Sequence, residues 1–389
     1  MKSLTVDSSN HSISCALIEM NDDSILATIT VERIGLLNGK ITIKKADEVI
    51  VEEKDFDNHE MAVKEIIDRL ISLNLLVLSE LRVVGHKVIR GPQIYKEPVV
   101  IDQKLLDELE ELIDMNALPI SAEVLGIKAF QECLNEVDQL AIFDSAFFAD
   151  LPIENYLYAV PYHWYQDFGV RKYGYQGLNH KYINQEVKNI LGKDTYKLIS
   201  CYLDKSVSIC AIEDGNCLDT SMGFTPLSGS MMSNRSGDVD ASIIPYIMKK
   251  EGKNASEVIA DLNYNSGLLG VSEFSADINE IINQSKEGNE KALIAKNKYI
   301  RNIVNYIAEY YILLGGLDIL VFTGDIGENS NEIRQEICNK LSPLGINIVN
   351  ENVPENGLIS SQEDKTLIYV LRQDDHLLLW SEIKKLLNR

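Results

Sequence analysis

DTSMGFTPLSGSMMSNRSGDVD, residues Asp219 to Asp240, is the stretch on which the reading of this chain turns. Its single arginine, Arg235, stands just ahead of a helical pattern whose first turn follows Asp238 and Asp240, acids well placed against a helix dipole. On the residues alone, those acids cap the helix and Arg235 pairs with them. Upstream lies RKYGYQGLNHKY (Arg171 to Tyr182), and downstream FTGDIGENS (Phe322 to Ser330). The downstream segment runs into a helical pattern with Ile333, Ile337 and Leu341 at spacing four, so a Gly-containing turn joins a strand to a helix. Such a turn presents free backbone N–H groups that can hold an anion or a nucleotide. Taken alone, an ordinary strand-to-helix connection reads the same way.

Composition narrows the class. A chain of 389 residues is long for one compact core, so two domains are expected. A net charge of -22, with no block of Lys and Arg, argues against nucleic acid and anionic membrane surfaces as partners. The cysteines, Cys15, Cys133, Cys201, Cys210, Cys217 and Cys338, form no CxxC pair and no zinc-like spacing with histidine, and are expected to be buried free thiols. MKSLTVDSSNHS lacks an apolar run of signal length, and the apolar stretch Tyr310 to Phe322 is short and interrupted by Asp318. A cytoplasmic location is the expectation.

The opening reads as a β-hairpin in which DSSN supplies the turn between Leu4/Val6 and Ile13/Cys15/Leu17. ITIKKADEVIVEE reads as one further strand, and His59 to Leu73 as a helix with Met61, Val63, Ile66, Ile67, Leu70 and Ile71 on one side. LRVVGHKVI is a strand, LLDELEELIDM and VLGIKAFQECL are helices, and LAIFD is a buried strand ending at Asp144. KLISCYLDKSVSICAIEDGN reads as a second hairpin, and LDILVFTG as a strand leading into a helix that begins near Asn329. Strands alternating with helices indicate mixed α/β layers, without an internal repeat at the level of sequence.

The three quoted segments, in this order and at these distances, resemble the acetate kinase family, whose members move a phosphoryl group between ATP and a short carboxylate. The resemblance spans essentially the whole chain. It implies an α/β fold of two similarly folded actin-like ATPase domains with an interdomain cleft. Residues 1–144 would form the first domain, with a C-terminal helix at 376–389 returning to it, and residues 145–375 a nucleotide-binding and dimerisation domain. It also implies Mg²⁺ and ATP as cofactors, nucleotide and a small carboxylate as ligands, and a homodimer. An acidic chain must hold ATP with local positive charge and metal.

Carried over residue by residue, Arg235 matches an arginine that faces the transferring phosphoryl group, and Asp144 an active-site aspartate. In VGHKV the family's arginine is Lys87, which keeps the charge and loses the planar fork. The family's YGFHG histidine is Gln176, which cannot carry positive charge, while the second histidine of that motif survives as His180 with a structural role expected. The phosphate loop HLGNG is replaced by Tyr202, Leu203, Asp204, Lys205 and Ser206. A carboxylate about 5 Å from a phosphate oxygen costs on the order of 3 kcal/mol at an effective dielectric of 20, which Lys205 partly offsets. The adenosine side would be built by Asp277, Ile278 and Asn279, with Asn279 in place of an arginine, and by Asp325, Ile326, Gly327 and Glu328, with Asp325 in place of a glycine. Asp7, opening a turn that is Asn-Ala-Gly-Ser-Ser-Ser in the family, and Asp375, in place of a glutamate, would supply metal oxygens. The substrate-side histidine is Pro119.

Three functional readings follow. The chain is a phosphotransferase of strongly reduced activity, or a catalytically inactive paralogue with a binding or regulatory role, or a module for a different small molecule in the same cleft. Phosphoryl transfer depends on positioning and on neutralising charge, so the altered cations weigh most.

Overall fold

The protein, seen in a computed structural model, is described over residues 1–46, 48–91, 94–113, 120–349 and 357–387. It divides into two compact units, Met1–Ala149 with Asp374–Arg389, and Asp150–Gln373.

The first unit is built on an eight-stranded sheet: β1 (Lys2–Ser9), β2 (Ser12–Glu19), β3 (Ile25–Glu32), β4 (Lys40–Lys45), β5 (Glu48–Glu53), β6 (Leu81–Val88), β7 (Val99–Val100) and β8 (Asp138–Phe143), in the order β5-β4-β3-β2-β1-β6-β8-β7. The β1–β2 register pairs Ser9 with Ser12, so the turn is Asn10-His11 alone and the strand runs on through Asp7, Ser8 and Ser9. DSSN is therefore mostly strand, because its serines pair across the ladder, Ser9 Oγ to Ser12 Oγ at 2.7 Å. ITIKKADEVIVEE is two strands rather than one, reversing through Ala46 at φ 46°.

Helices α1 (His59–Ser72), α2 (Gln103–Glu111) and α3 (Ile120–Cys133) complete this unit. The Asn58 side chain starts α1 by accepting the Met61 N–H. Ala62, Val63, Ile66, Ile67 and Leu70 bury one face against Leu4, Val6, Ile13 and Phe130, each large side chain contributing about 1.5–3 kcal/mol. Met61 and Ile71 lie off that stripe and are exposed, unlike the sequence expectation.

What positions chemistry here is a parallel run. β1 pairs parallel with β6, and β6 with β8, with Val6 opposite His86 and Val88 opposite Phe143. The carboxyl ends of all three strands thus lie on one sheet edge, where open α/β sheets hold ligands. Those ends carry Asp7, Lys87 and Asp144.

The second unit opens with α4 (Ile153–Tyr156), α5 (Tyr162–Phe168) and α6 (Gly177–Leu191), then β9 (Lys197–Leu203), β10 (Val207–Glu213) and β11 (Asn216–Thr220). Helices α7 (Ile243–Glu251), α8 (Ala255–Tyr264), α9 (Gly267–Ser272), α10 (Ile278–Lys286) and α11 (Glu290–Leu313) follow, then β12 (Ile319–Thr323), α12 (Gly324–Asn329), α13 (Asn331–Leu341), β13 (Gly357–Leu358) and β14 (Leu367–Val370). The sheet order is β11-β10-β9-β12-β14-β13, with β9, β12 and β14 parallel. The helix expected near Asn329 is two helices, because Ser330 ends α12 and its side chain caps α13. His180 of α6 is fully buried between two hydroxyls, Ser200 Oγ of β9 and Ser208 Oγ of β10, each 2.9 Å away. Burial holds its imidazole neutral, with a pKa near 3.

The chain then re-enters the first unit as α14 (Asp375–Leu387), which packs on β1, β2, β6 and β8. All six cysteines are free, and Cys133 is half-buried where the others are buried. No described helix is long and apolar enough to cross a membrane.

Candidate active site

In the first unit the strand ends converge on Lys87. Its Nζ donates to Asp7 Oδ2 at 3.0 Å. Burial alone would lower the ammonium's pKa, but the carboxylates of Asp7, Asp375 and Asp144 outweigh it and hold the group well above the usual lysine value. The cation is thus engaged by this chain's own acids. Asp144 is buried at the start of a 3₁₀ turn, and Asp375 is the first residue of α14, whose backbone is capped by Asp374. The oxygens of Asp7 and Asp375 suit a hard cation such as Mg²⁺, which typically takes one or two protein carboxylates and completes its shell with water and phosphate. Among the described residues, no three His, Cys, Asp or Glu side chains form a ready-made metal cage.

In the second unit Arg235 is partly buried, and among the described residues no carboxylate or hydrogen-bond acceptor takes its guanidinium. The two acids that sequence offered as partners are used elsewhere. Asp238 accepts the Gly229 N–H at 2.9 Å and the Tyr306 hydroxyl, and Asp240 accepts the Ser242 N–H at 2.8 Å. Burial draws the Arg235 pKa below the usual guanidinium value, so its charge is costly until an anion arrives. Its backbone is clamped by the start of α9: Met232 N–H donates to Arg235 C=O at 3.1 Å, and Gly267, at φ 62°, lies so close that a Cβ would meet that oxygen at 2.8 Å.

Asp204, Lys205 and Ser206 form the turn between β9 and β10, closed by Asp204 N–H to Ser206 C=O at 2.9 Å. Gln176, N-cap of α6 in the left-handed region at φ 63°, donates Nε2 to Ser206 Oγ at 3.3 Å and accepts from Asn179 Nδ2 at 2.6 Å. Beside the turn lies a cavity of about 340 Å³ lined by Asp204, Lys205, Asp277, Ile278, Asn279, Asp325 and Ile326, with Ser233, Asn234 and Ala276. Ser206, Gly327 and Glu328 are not in its lining; Glu328 Oε1 turns back to accept the Gly324 N–H at 3.0 Å. Gly324, at φ 79°, brings α12 against β9, where a Cβ would meet Leu203 C=O at 2.8 Å. Asp277 caps α10, its Oδ1 accepting the Asn279 N–H at 2.8 Å.

An Acetokinase family model matches residues 2–380. The acetate kinase of Aster yellows witches'-broom phytoplasma is 39% identical over 390 residues, covering 99% of this chain and 95% of the relative. Among solved structures, Porphyromonas gingivalis acetate kinase superposes with a TM-score of 0.92 at 33% identity, covering 99% of both chains. A propionate kinase from Francisella tularensis gives 0.92 at 32% identity, covering 98% of both. The chain belongs to the acetokinase family.

Within this acetokinase fold, sequence reasoning missed two buried charged groups and one partly buried histidine. Glu123 accepts the Ile89 N–H at 3.1 Å through Oε1, while Oε2 has no partner among the described residues. Burial first, then Asp7 and Asp144, raise its pKa well above the usual carboxyl value. Arg334, among the largest fully buried side chains, donates to Gly327 C=O at 2.7 Å and Glu328 C=O at 2.9 Å, pinning the far end of α12. His376 joins Thr5 Oγ1 at 3.0 Å to Ser14 Oγ at 2.9 Å, fixing α14 beside Asp7. One signal could have found two of them: Glu123 shares a helical stripe with Ile127 and Phe130, and Arg334 with Cys338 and Leu341, each a charge where the apolar period expects none. Pro119, matched to the family's substrate-side histidine, lies outside the described residues.

Proposed function

We propose that this chain transfers a phosphoryl group between a nucleoside triphosphate, ATP by family membership, and a short carboxylate such as acetate or propionate, at a strongly reduced rate. The observation that carries the reading is Arg235, a partly buried cation without a carboxylate partner among the described residues. A phosphoryl group with charge on its equatorial oxygens is the anion such a guanidinium serves best. Mg²⁺, taken up by Asp7 and Asp375, would supply neutralisation of phosphate oxygens. Lys87 in the first unit and Gln176 in the second match the family's further donors by resemblance, and both begin engaged, Lys87 with Asp7 and Gln176 with Ser206 and Asn179. Breaking those contacts opposes the reaction, and two weakened donors with a carboxylate-bearing turn lower turnover by about 10³- to 10⁶-fold.

The test is hydroxylamine trapping of acyl phosphate formed from Mg-ATP and acetate. We expect slow turnover, below about 1 per second, and a further loss of about 10²-fold in Arg235→Ala. Turnover at ordinary enzyme rates would remove the reduced-activity part; a folded protein whose product signal is indifferent to Arg235→Ala would remove the phosphotransferase reading. A second reading, a non-catalytic binding protein, is favoured by the Lys87–Asp7 pair, which neutralises the cation without any ligand.

We also propose a homodimer assembled through the second unit. Trp164 and Phe168, spaced four apart on α5, are 42% and 64% exposed, an unusual outlay of aromatic surface. Light scattering should give twice the chain mass, and Trp164→Asp with Phe168→Asp should bring it to one. A single-chain mass for the unmodified protein would overturn the assembly.

A further inference from the structure

The cavity beside α10 and α12 is lined by two chemically different sets of residues. Lys205 is the one cation among its described lining residues, and it sits with Asp204 on the β9–β10 turn. Ile278 and Ile326, both nearly buried, offer apolar surface for a flat ring, and the polar groups beside them in sequence are Asp277, Asn279 and Asp325. Phosphates belong beside Lys205, since Asp277 and Asp325 would repel them. The base then lies among Ile278, Ile326, Asn279 and Asp325.

Asp325 stands in the first turn of α12. One oxygen, Oδ1, accepts from Asn329 Nδ2 at 2.8 Å, which fixes the carboxylate's orientation; Oδ2 has no partner among the described residues. The Asn279 side chain likewise makes no hydrogen bond among the described residues, its backbone N–H alone being taken by Asp277. A carboxylate accepts and never donates when ionised, whereas an amide offers both roles. Guanine presents two parallel donors, N1–H and N2–H₂, beside an O6 acceptor, which complements a carboxylate and an amide NH₂. Adenine presents one donor group, N6–H₂, and an N1 lone pair that a carboxylate repels.

We infer that Asp325 makes this cavity selective for a 2-amino-6-oxopurine, so that guanine nucleotides bind in preference to adenine nucleotides. The inference rests on the nucleotide reading above and refines its base. Losing one hydrogen bond to a charged group corresponds to about 10- to 100-fold in affinity, and that is the expected margin of GDP over ADP.

Calorimetric titration of the full chain with Mg-GDP, Mg-ADP, Mg-IDP and Mg-dGDP separates the possibilities. GDP should bind tightest, IDP, which keeps N1–H and lacks the 2-amino group, should fall between, and ADP should be weakest. Asp325→Asn should erase most of the margin, and Asp325→Gly should raise ADP affinity. Equal or inverted affinities, or a margin that survives Asp325→Asn, would overturn the inference while leaving nucleotide binding intact. A loss confined to dGDP would do the same by assigning Asp325 to the ribose. No binding of any nucleotide by the folded protein would overturn both this inference and the reading beneath it.

Discussion

Combining Asp7→Asn, Lys87→Arg, Gln176→His, Asp204→Gly, Lys205→Asn, Ser206→Gly and Asp325→Gly should raise acetyl phosphate formation from ATP and acetate by about 10³- to 10⁶-fold. Six of the seven act on one quantity, positive charge and free N–H groups available to phosphate, while Lys205→Asn gives up a cation to complete the family's turn. Lys87→Arg alone leaves the cation beside Asp7, which sits 3.0 Å from it, so the gain requires Asp7→Asn as well. Removing Asp204 takes a carboxylate from the β9–β10 turn, and glycines at 204 and 206 let the turn backbone approach an anion. Single substitutions should each do little, because positioning and neutralisation fail together. Arg235→Ala in the combined background is the control and should take back about 10²- to 10³-fold of the gain. A combined variant that folds as the parent does, yet neither binds Mg-ATP nor forms product, would show that the lost activity lies outside these residues.

Acid should unfold the protein through its buried histidines. His180 has a pKa near 3 because burial disfavours its cation, and burial likewise holds His86 near 4, partly opposed by its 2.6 Å hydrogen bond to Gln139 Oε1. In the unfolded chain both rings take protons near pH 6.5. Between that pH and the folded values the unfolded state therefore binds more protons, so this contribution to stability is full above pH 6.5 and declines as pH falls toward 3. For His180 alone the decline is about 1.4 kcal/mol per pH unit, some 2 kcal/mol between pH 6.5 and 5 and on the order of 5 kcal/mol by pH 3. Glu123 works with the opposite sign, since its buried carboxyl favours the protonated form. The informative comparison is thus between the chain and His180→Gln, whose urea midpoints should converge as pH drops from 6.5 to 5. Parallel curves over that range would mean His180 titrates normally.

The family and the α/β layering were legible because they live in long segments whose local signals agree. DTSMGFTPL, the alternating strands and the glycine that opens α12 all point to one fold. The environment of each charge was not legible. Arg235 has two acids a few residues away, and spacing alone favours an ion pair; only the fold shows Asp238 turned to Gly229 and Tyr306, and Asp240 to Ser242. Lys87 and Asp7 are eighty residues apart and meet because β1 and β6 pair in parallel, a register that no local pattern specifies. The serines after Asp7 mark a turn by propensity, yet pairing with β2 draws them into strand, since ladder hydrogen bonds outweigh a weak local preference. Glu123 and Arg334 are hard to see in sequence because each is a single charge in a helical stripe whose apolar members set the period.

The return of α14 to the first unit bears on how the chain reaches its shape during synthesis. Asp150–Gln373 is one continuous stretch, whereas the first unit needs residues that leave the ribosome after all of it. The second unit can therefore finish folding while its predecessor still waits for its last helix, the reverse of the usual N-terminal-first order. Until then the face of β1, β2, β6 and β8 that α14 covers is open to water. It is at this stage, with apolar surface uncovered and Asp7 and Lys87 still without Asp375, that a nascent chain is most exposed to aggregation and to chaperones.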